Sequence, residues 1–465
     1  MNKKIAIIGG GPAGLSAAYH LLKKNYQVDI YEAKKFLGGM SASVEMWGTK
    51  VDLGPHRFFS SDKKVNNFWL EIIENEYQMI DRYTRIYYKK KFFNYPLKPF
   101  NALTKLGLNE SIKCFLSYLN TFFSNKKKLI NFEDWVTNKF GKKLYEIFFK
   151  SYSEKLWGID CKNLSADFAA QRIKKFNLWE ATISFLIKKN KHKTLVDQFA
   201  YPNGGTGYFY EKLAQKINKL NGNIFLNTKV KNINKFNNQI ELEIDSEKKN
   251  YDYLISSMPI SDLVNSLKPD ENTKNAIQNL KFRNTLLVYL NIEKENIFND
   301  QWIYVNSNDV KSGRITNFKN WKQKSKSGNS ILCFEYWFND NDAIWKKKDD
   351  IMKINKEDVQ KLNLFKLDEI KDYKIIPIQK CYPVYDISYN ENLEIVKNFL
   401  NNFKNIFPIG RYGSFKYNNQ DHSILMGMLV SEKISNNEKI NLWDINTDYE
   451  FQEKTIITET GLKNI

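Results

Sequence analysis

Gly9-Gly10-Gly11-Pro12-Ala13-Gly14 and Glu32 are the residues whose types and spacing most directly carry chemistry in this chain. A G-x-G-x-x-G string followed eighteen residues later by a carboxylate suits a dinucleotide. Gly9, Gly11 and Gly14 allow a tight turn and close backbone approach to a diphosphate. The diphosphate rests on the N-terminus of the next helix, beside Pro12 and Ala13. Glu32 can accept hydrogen bonds from ribose hydroxyls. Alone, the glycine string is weak evidence. The elements that must position it make it strong: residues 5–8 read as an apolar strand, 15–22 as a helix, and 28–32 as a second strand closing on Glu32.

Composition bounds the remaining possibilities. The chain has 465 residues, enough for two or three domains with ample core. Hydrophobic residues make up 42% and aromatics 15%, which excludes a disordered protein. The net charge of +19 invites a nucleic-acid reading, but lysine is spread along the whole chain. Runs such as 126–128 and 346–348 read as solvated surface, and no nucleic-acid partner is expected. The charge does suit anionic substrates or contact with an anionic membrane face. Cys114, Cys161, Cys333 and Cys381 are scattered without C-x-x-C pairing, which argues against a disulfide framework or zinc site and suits a reducing cytoplasm. The four histidines show no metal-ligand spacing, so no metal is expected. No stretch of eighteen apolar residues occurs, so no spanning segment is expected, and nothing convincing reads as a signal peptide. The sequence does not name an oligomeric state, and a homodimer is one of the partners kept open.

Further along, residues 103–123 and 132–151 carry apolar positions at helical spacing. A glycine turn at 203–207 precedes an amphipathic helix near 208–220. Stretches at 222–230, 240–244, 253–259, 285–290, 331–336 and 406–409 read as strands. The expected fold is α/β. Residues 1–95, 200–270 and 400–440 form a discontinuous, doubly wound (Rossmann-type) cofactor domain. Residues 96–199 form a helical insertion, 271–399 a mostly antiparallel sheet over the substrate, and 441–465 a polar tail.

Gly38-Gly39-Met40, following Glu32-Ala33 after a short linker, resembles the FAD-binding amine-oxidase superfamily. Ile406 to Gly410-Arg411, with a helix from about Ser423, resembles the late strand and helix that close the FAD site in such families. A sharper resemblance lies in the middle of the chain. Tyr152-Ser153-Glu154-Lys155-Leu156-Trp157-Gly158, then Arg172-Ile173-Lys174-Lys175-Phe176-Asn177, then Pro202-x-Gly204-Gly205 are similar to UDP-galactopyranose mutases. So are Gly54-Pro55-His56, Arg314-Ile315, Tyr382-Pro383-Val384, and Gly410-Arg411-x-Gly413 with Lys416, Tyr417 and Asp421, all in the family's order. Two positions depart from it: Phe59 stands where the family usually has a second histidine, and Asn419 where it has an acid. The chain is also longer than the usual bacterial mutases.

The resemblance implies bound FAD, with Gly9, Gly11, Pro12, Ala13, Gly14, Glu32, Gly38, Gly39, Met40, Gly410, Arg411 and Asp421 at the cofactor. It implies a nucleotide-sugar substrate whose pyranose and furanose forms interconvert, N5 of the reduced flavin being the nucleophile, for cell-surface glycan synthesis. His56, Arg172 and Arg314 would be catalytic, the two arginines on the pyrophosphate and His56 at the flavin face. Tyr152, Tyr382 and Tyr417 would supply hydroxyls, and Trp157 would stack near sugar or flavin. A second reading stays open: an oxidoreductase of the amine-oxidase or protoporphyrinogen-oxidase type, in which substrate gives a hydride to the flavin. Such a site needs an apolar or aromatic pocket and no phosphate-clamping arginines, so the placement of Arg172 and Arg314 separates the readings. A third reading is a non-catalytic flavoprotein or a nucleic-acid binder using the positive charge, which would show no turnover and strongly salt-dependent polyanion binding.

Overall fold

The first unit of the chain is β1 (Lys4–Ile8), α1 (Pro12–Leu22) and β2 (Gln27–Tyr31). A computed structural model describes residues 3–97, 99–123, 129–168, 198–236, 239–321, 328–445 and 455–464. In it β1 lies mid-sheet, parallel to β2 on one side and to Tyr253–Ser256 on the other. Asn223–Phe225 extends the sheet beyond β2, and Ile406–Pro408 extends it beyond Tyr253–Ser256, again parallel. A parallel sheet is covered on both faces, which is why Ile5, Ala6 and Ile7 are consecutive apolar residues and fully buried.

The final long helix, Gln420–Asn436, crosses α1 almost backbone to backbone. Gly427 permits this, because a Cβ there would sit 2.5 Å from the Ala13 carbonyl oxygen. Ser16 Oγ donates to the Ile424 carbonyl at 2.8 Å and fixes the crossing.

A seven-stranded sheet forms the second layer. Its order is Ile370–Pro383, Phe282–Ile292, Ser330–Phe338, Arg314–Asn317, Trp302–Val305, Thr84–Tyr88 and Lys91–Asn94. All neighbours are antiparallel except Trp302–Val305 and Thr84–Tyr88. The last two strands correct the boundary expected at residue 95: they leave the cofactor layer and complete the substrate-side sheet. Their pairing partner lies more than two hundred positions away, which no local pattern reveals. Another correction falls at the C-terminus, expected to be a polar tail. Thr455–Thr458 and Gly461–Asn464 form a hairpin that is pinned to the fold. Thr455 N–H donates to the Ser61 carbonyl at 3.0 Å, and Tyr77 OH donates to the Thr458 carbonyl at 2.6 Å.

Against the second sheet packs a run of helices, including Pro99–Leu106, Leu108–Phe123, Phe132–Phe140 and Ser151–Trp157. The last ends at Gly158, whose φ of +67° closes the helix in the left-handed region. Gly158 also leaves room for Arg283, whose Nη1 would lie 2.3 Å from any Cβ there. Arg283 donates to the Leu156 and Trp337 carbonyls at 3.1 and 2.8 Å and ties this helix to the sheet.

Buried Asp52 links the two layers. It accepts from Ser43 Oγ, Tyr201 OH and Thr206 N–H at 2.5, 2.9 and 2.9 Å. Burial raises its pKa from 3.8 to about 6 despite these donors. A carboxyl raised in the folded state binds more protons there than in the unfolded chain, so its contribution to stability falls as pH rises from about 4 to 6. The stability difference between the parent and Asp52→Asn, measured by urea titration, is expected to move against the parent by about 3 kcal/mol over that window. A difference that stays flat with pH would refute this assignment.

Candidate active site

Several helix N-termini, those of α1 and of Gln420–Asn436 among them, and one sheet face enclose a cleft of about 570 Å³. One wall is the first unit: Gly9, Gly11, Pro12, Ala13 and Glu32. Gly39 and Met40 continue it, and Gly410 and Arg411 face it from the far end of the chain. Gly9 adopts φ +104° with Ser257 Oγ 2.2 Å from where a Cβ would be. Gly14 does not line the cleft; its Cβ would meet the Gly9 carbonyl oxygen at 2.0 Å, so its role is to let α1 close onto β1. Gly11 differs from both. Its backbone is extended, and a Cβ would meet nothing nearer than Gly39 Cα at 3.8 Å. The protein itself does not require glycine there; the open space above it is the cleft.

That cradle fits a dinucleotide diphosphate. α1 has no side-chain N-cap and no acid in its first turn, so its leading N–H groups and dipole are open to an anion. Glu32 accepts from Gly10 N–H at 2.7 Å through one oxygen and from Lys34 N–H at 2.9 Å through the other. Each oxygen keeps acceptor capacity for a ribose hydroxyl. Gly38, at φ +94°, packs beside Ala42 and Tyr210 and turns the chain so that Gly39 and Met40 reach the cleft. Asp421 is buried in the first turn of the last helix, its carboxylate 3.5 Å from His422 Nδ1. Its neighbours Gln420 and Ser423 line the cleft.

The other wall is aromatic and cationic. Arg57, Arg82, Tyr95, Trp302, Tyr304 and Arg314 line it. Arg57 lies over the Phe59 ring at 5.0 Å, and its Nη1 is buried without a hydrogen-bond partner. Burial, and then the charge of Arg82, pull the Arg57 pKa down. Arg82 donates to the Tyr95 carbonyl at 3.4 Å while its Nε is buried and unpartnered. Arg411 sits over Tyr382 and Tyr417 at 4.7 and 4.4 Å, with Nε and Nη2 unpartnered. Among the described residues, none of these three arginines has a carboxylate at ion-pair distance.

Arg314 is held differently. Glu335 accepts from its Nε at 2.6 Å and its Nη2 at 2.7 Å, a buried bidentate pair, and Nη2 also reaches Tyr382 OH at 3.4 Å. His56 lines the cleft with Nδ1 unpartnered. Burial first, then Arg314 and Arg411, lower its pKa to about 3, so the imidazole is neutral at ordinary pH.

The expected aromatic residues divide. Tyr417 lines the cleft and stacks on Tyr382 at 5.6 Å. Tyr152 packs edge-on against Tyr304 at 5.4 Å, one residue behind the surface of the wall. Trp157 was expected to stack near sugar or flavin. It is instead only 1% exposed, packed edge-on behind Tyr417 and Tyr382, and supports the wall. Arg172 lies outside the described residues. Arg57 and Arg82 were not singled out from the sequence. Arg57 adjoins the quoted Gly54-Pro55-His56, a signal that could have found it; Arg82 carries none.

The family model for flavin-containing amine oxidoreductases matches residues 12–373, and the chain belongs to that family. It is an FAD-binding flavoprotein, and the glycine cradle above is where its elements would hold the cofactor. Its fold resembles that of reduced UDP-galactopyranose mutase, with a TM-score of 0.82 at 21% identity over 97% of this chain and all of that one. A probable UDP-galactopyranose mutase of Klebsiella pneumoniae is 27% identical over 38% of this chain and 46% of its own length. A zeta-carotene desaturase of Arabidopsis thaliana is 26% identical over 35% of this chain and 34% of its own length. The matched segments thus span about a third to a half of these curated relatives. No helix among the described residues is long and apolar enough to cross a membrane.

Proposed function

We propose that the protein interconverts the pyranose and furanose forms of a nucleotide-activated sugar, for use in cell-surface glycan synthesis. The observation that carries this reading is the pair Arg57 and Arg82. Two guanidiniums share one cleft wall, the charge of Arg82 acts on Arg57 more strongly than that of Asp421, and no carboxylate among the described residues lies at ion-pair distance from either. Like charges facing one cleft are costly unless an anion is shared between them, most of all where their nitrogens are desolvated, as Arg57 Nη1 and Arg82 Nε are. The diphosphate of a nucleotide sugar is such an anion, whereas an amine or a polyene gains nothing from this wall.

Each residue then has a task. Arg57 and Arg82 hold the diphosphate as it leaves and returns. Trp302, Tyr95 and Tyr304 offer faces for the base or sugar. Tyr417 supplies a hydroxyl at the sugar, with Tyr382 stacked behind it and Arg411 over both. Arg314, its charge matched by Glu335, orients Tyr382. Neutral His56 offers a hydrogen bond at the cofactor face without a competing charge. The bound cofactor, once reduced, supplies the nucleophile.

The test is an anaerobic incubation of the flavin-loaded protein with UDP- and dTDP-hexoses, with and without dithionite, followed by chromatography. A new isomer formed only after reduction is the expected result. No isomer, together with flavin reduction by an amine or a porphyrinogen, would replace this reading with an oxidoreductase. In the same assay Arg57→Gln and Arg82→Gln are each expected to raise KM by roughly tenfold to a hundredfold, the loss of one charge-assisted contact, with flavin content unchanged.

A further inference from the structure

The helix Leu108–Phe123 is turned inside out. Its inward side is its more polar one: Cys114 is buried, Ser117 Oγ accepts from Lys143 N–H at 3.0 Å, and Glu110 pairs with Lys113 and Lys143. Gly141 lets the neighbouring helix approach, since a Cβ there would meet the Ser117–Tyr118 backbone at 2.8 Å. The outward side carries Leu108, Ile112, Phe115, Leu116, Phe122 and Phe123, with Phe115 59% and Phe123 86% exposed. At about 100° per residue these positions, with Leu119, fall within an arc of roughly 120°. A contiguous apolar stripe of this kind on a protein surface marks a contact site.

Charge identifies the occupant. Residues 99–150 carry nine lysines against four acids, and Lys126-Lys127-Lys128 begins three positions after the helix in sequence. A symmetric pairing of two copies through this helix would bring two net-positive regions together. Residues 169–197 of this chain carry seven basic residues against two acids, so they offer no complementary charge either. An apolar stripe within a lysine-rich stretch of sequence matches the interfacial layer of an anionic bilayer, where aliphatic and phenyl groups enter the acyl boundary and ammonium groups meet lipid phosphates.

We infer that the Leu108–Phe123 helix docks this flavoprotein onto an anionic phospholipid surface. The inference is independent of the reaction proposed above. The test uses the full-length, flavin-loaded protein in flotation with vesicles of phosphatidylcholine and phosphatidylglycerol at 3:1, or of phosphatidylcholine alone. The parent is expected to float with the mixed vesicles at least tenfold more than with the neutral ones, and to be released by high salt. The double variant Phe115→Ser/Leu119→Ser is expected to lose at least tenfold of that binding, with flavin content and gel-filtration volume unchanged. Tyr373→Ser, at an exposed aromatic on the sheet, is expected to bind as the parent does. Parent protein that ignores anionic vesicles, or a double variant that still floats, would overturn the proposal. So would a parent dimer that the double variant converts to monomer without any vesicle binding.

Discussion

Gly11→Val is expected to give a folded, colourless protein, and Gly14→Val a protein that barely folds. The two substitutions are chemically the same and three residues apart, yet they meet different surroundings. At Gly11 the extended backbone accepts any residue, and the new side chain would project into the space above α1. It would occupy the place of the diphosphate while leaving strand and helix packing intact. The flavin absorbance per protein is expected to fall at least roughly a hundredfold, with the unfolding midpoint of the apoprotein unchanged. At Gly14 even a Cβ meets the Gly9 carbonyl oxygen at 2.0 Å, so α1 would have to leave β1. The expected cost is roughly 3 kcal/mol or more, read by denaturant titration of apoprotein. Flavin retention by Gly11→Val would mean that the cradle holds something else.

The second large effect concerns the wall opposite. Glu335→Gln removes the charge facing Arg314 and leaves a buried guanidinium without its counter-ion. Breaking a buried pair from one side typically costs about 3–5 kcal/mol. Because Arg314 lines the cleft, an added anion can take over from Glu335. The variant is therefore expected to regain stability on addition of inorganic pyrophosphate, and the parent to gain much less. Equal gains in both would indicate that Arg314 is out of the anion's reach.

The cofactor half of the site was legible because it is local. Strand, glycine turn, helix and second strand follow one another within Lys4–Glu32, and each glycine sits where the backbone or the cleft requires it. Resemblance extended this to Gly39, Met40, Gly410 and Arg411, all of which the fold brings to one cleft. The opposite wall was largely illegible. Arg82 lies just before Thr84–Tyr88, and it shares a cleft wall with Trp302 and Tyr304 only because that strand pairs in parallel with Trp302–Val305. A pairing between stretches so far apart leaves no periodicity to read. Arg314 was visible as an arginine but not as half of an ion pair, since Glu335 joins it only through antiparallel register. Trp157 shows the reverse case: its motif was recognisable, but whether a tryptophan faces a ligand or a core depends on which aromatic rings arrive from elsewhere.

The order in which the parallel sheet is assembled has a consequence for synthesis. β1 and β2 emerge from the ribosome about four hundred residues before Ile406–Pro408, Gly410 and the start of the Gln420–Asn436 helix. A nascent chain thus carries an incomplete nucleotide cradle until that later stretch has been made. Long-range parallel pairing of this kind forms slowly and leaves strand edges open while it waits. Flavin capture therefore waits for the synthesis of residues up to about Ser423, and any product terminated before Ser423 would lack the last wall of the cleft and stay colourless, however well the Lys4–Glu32 unit folds.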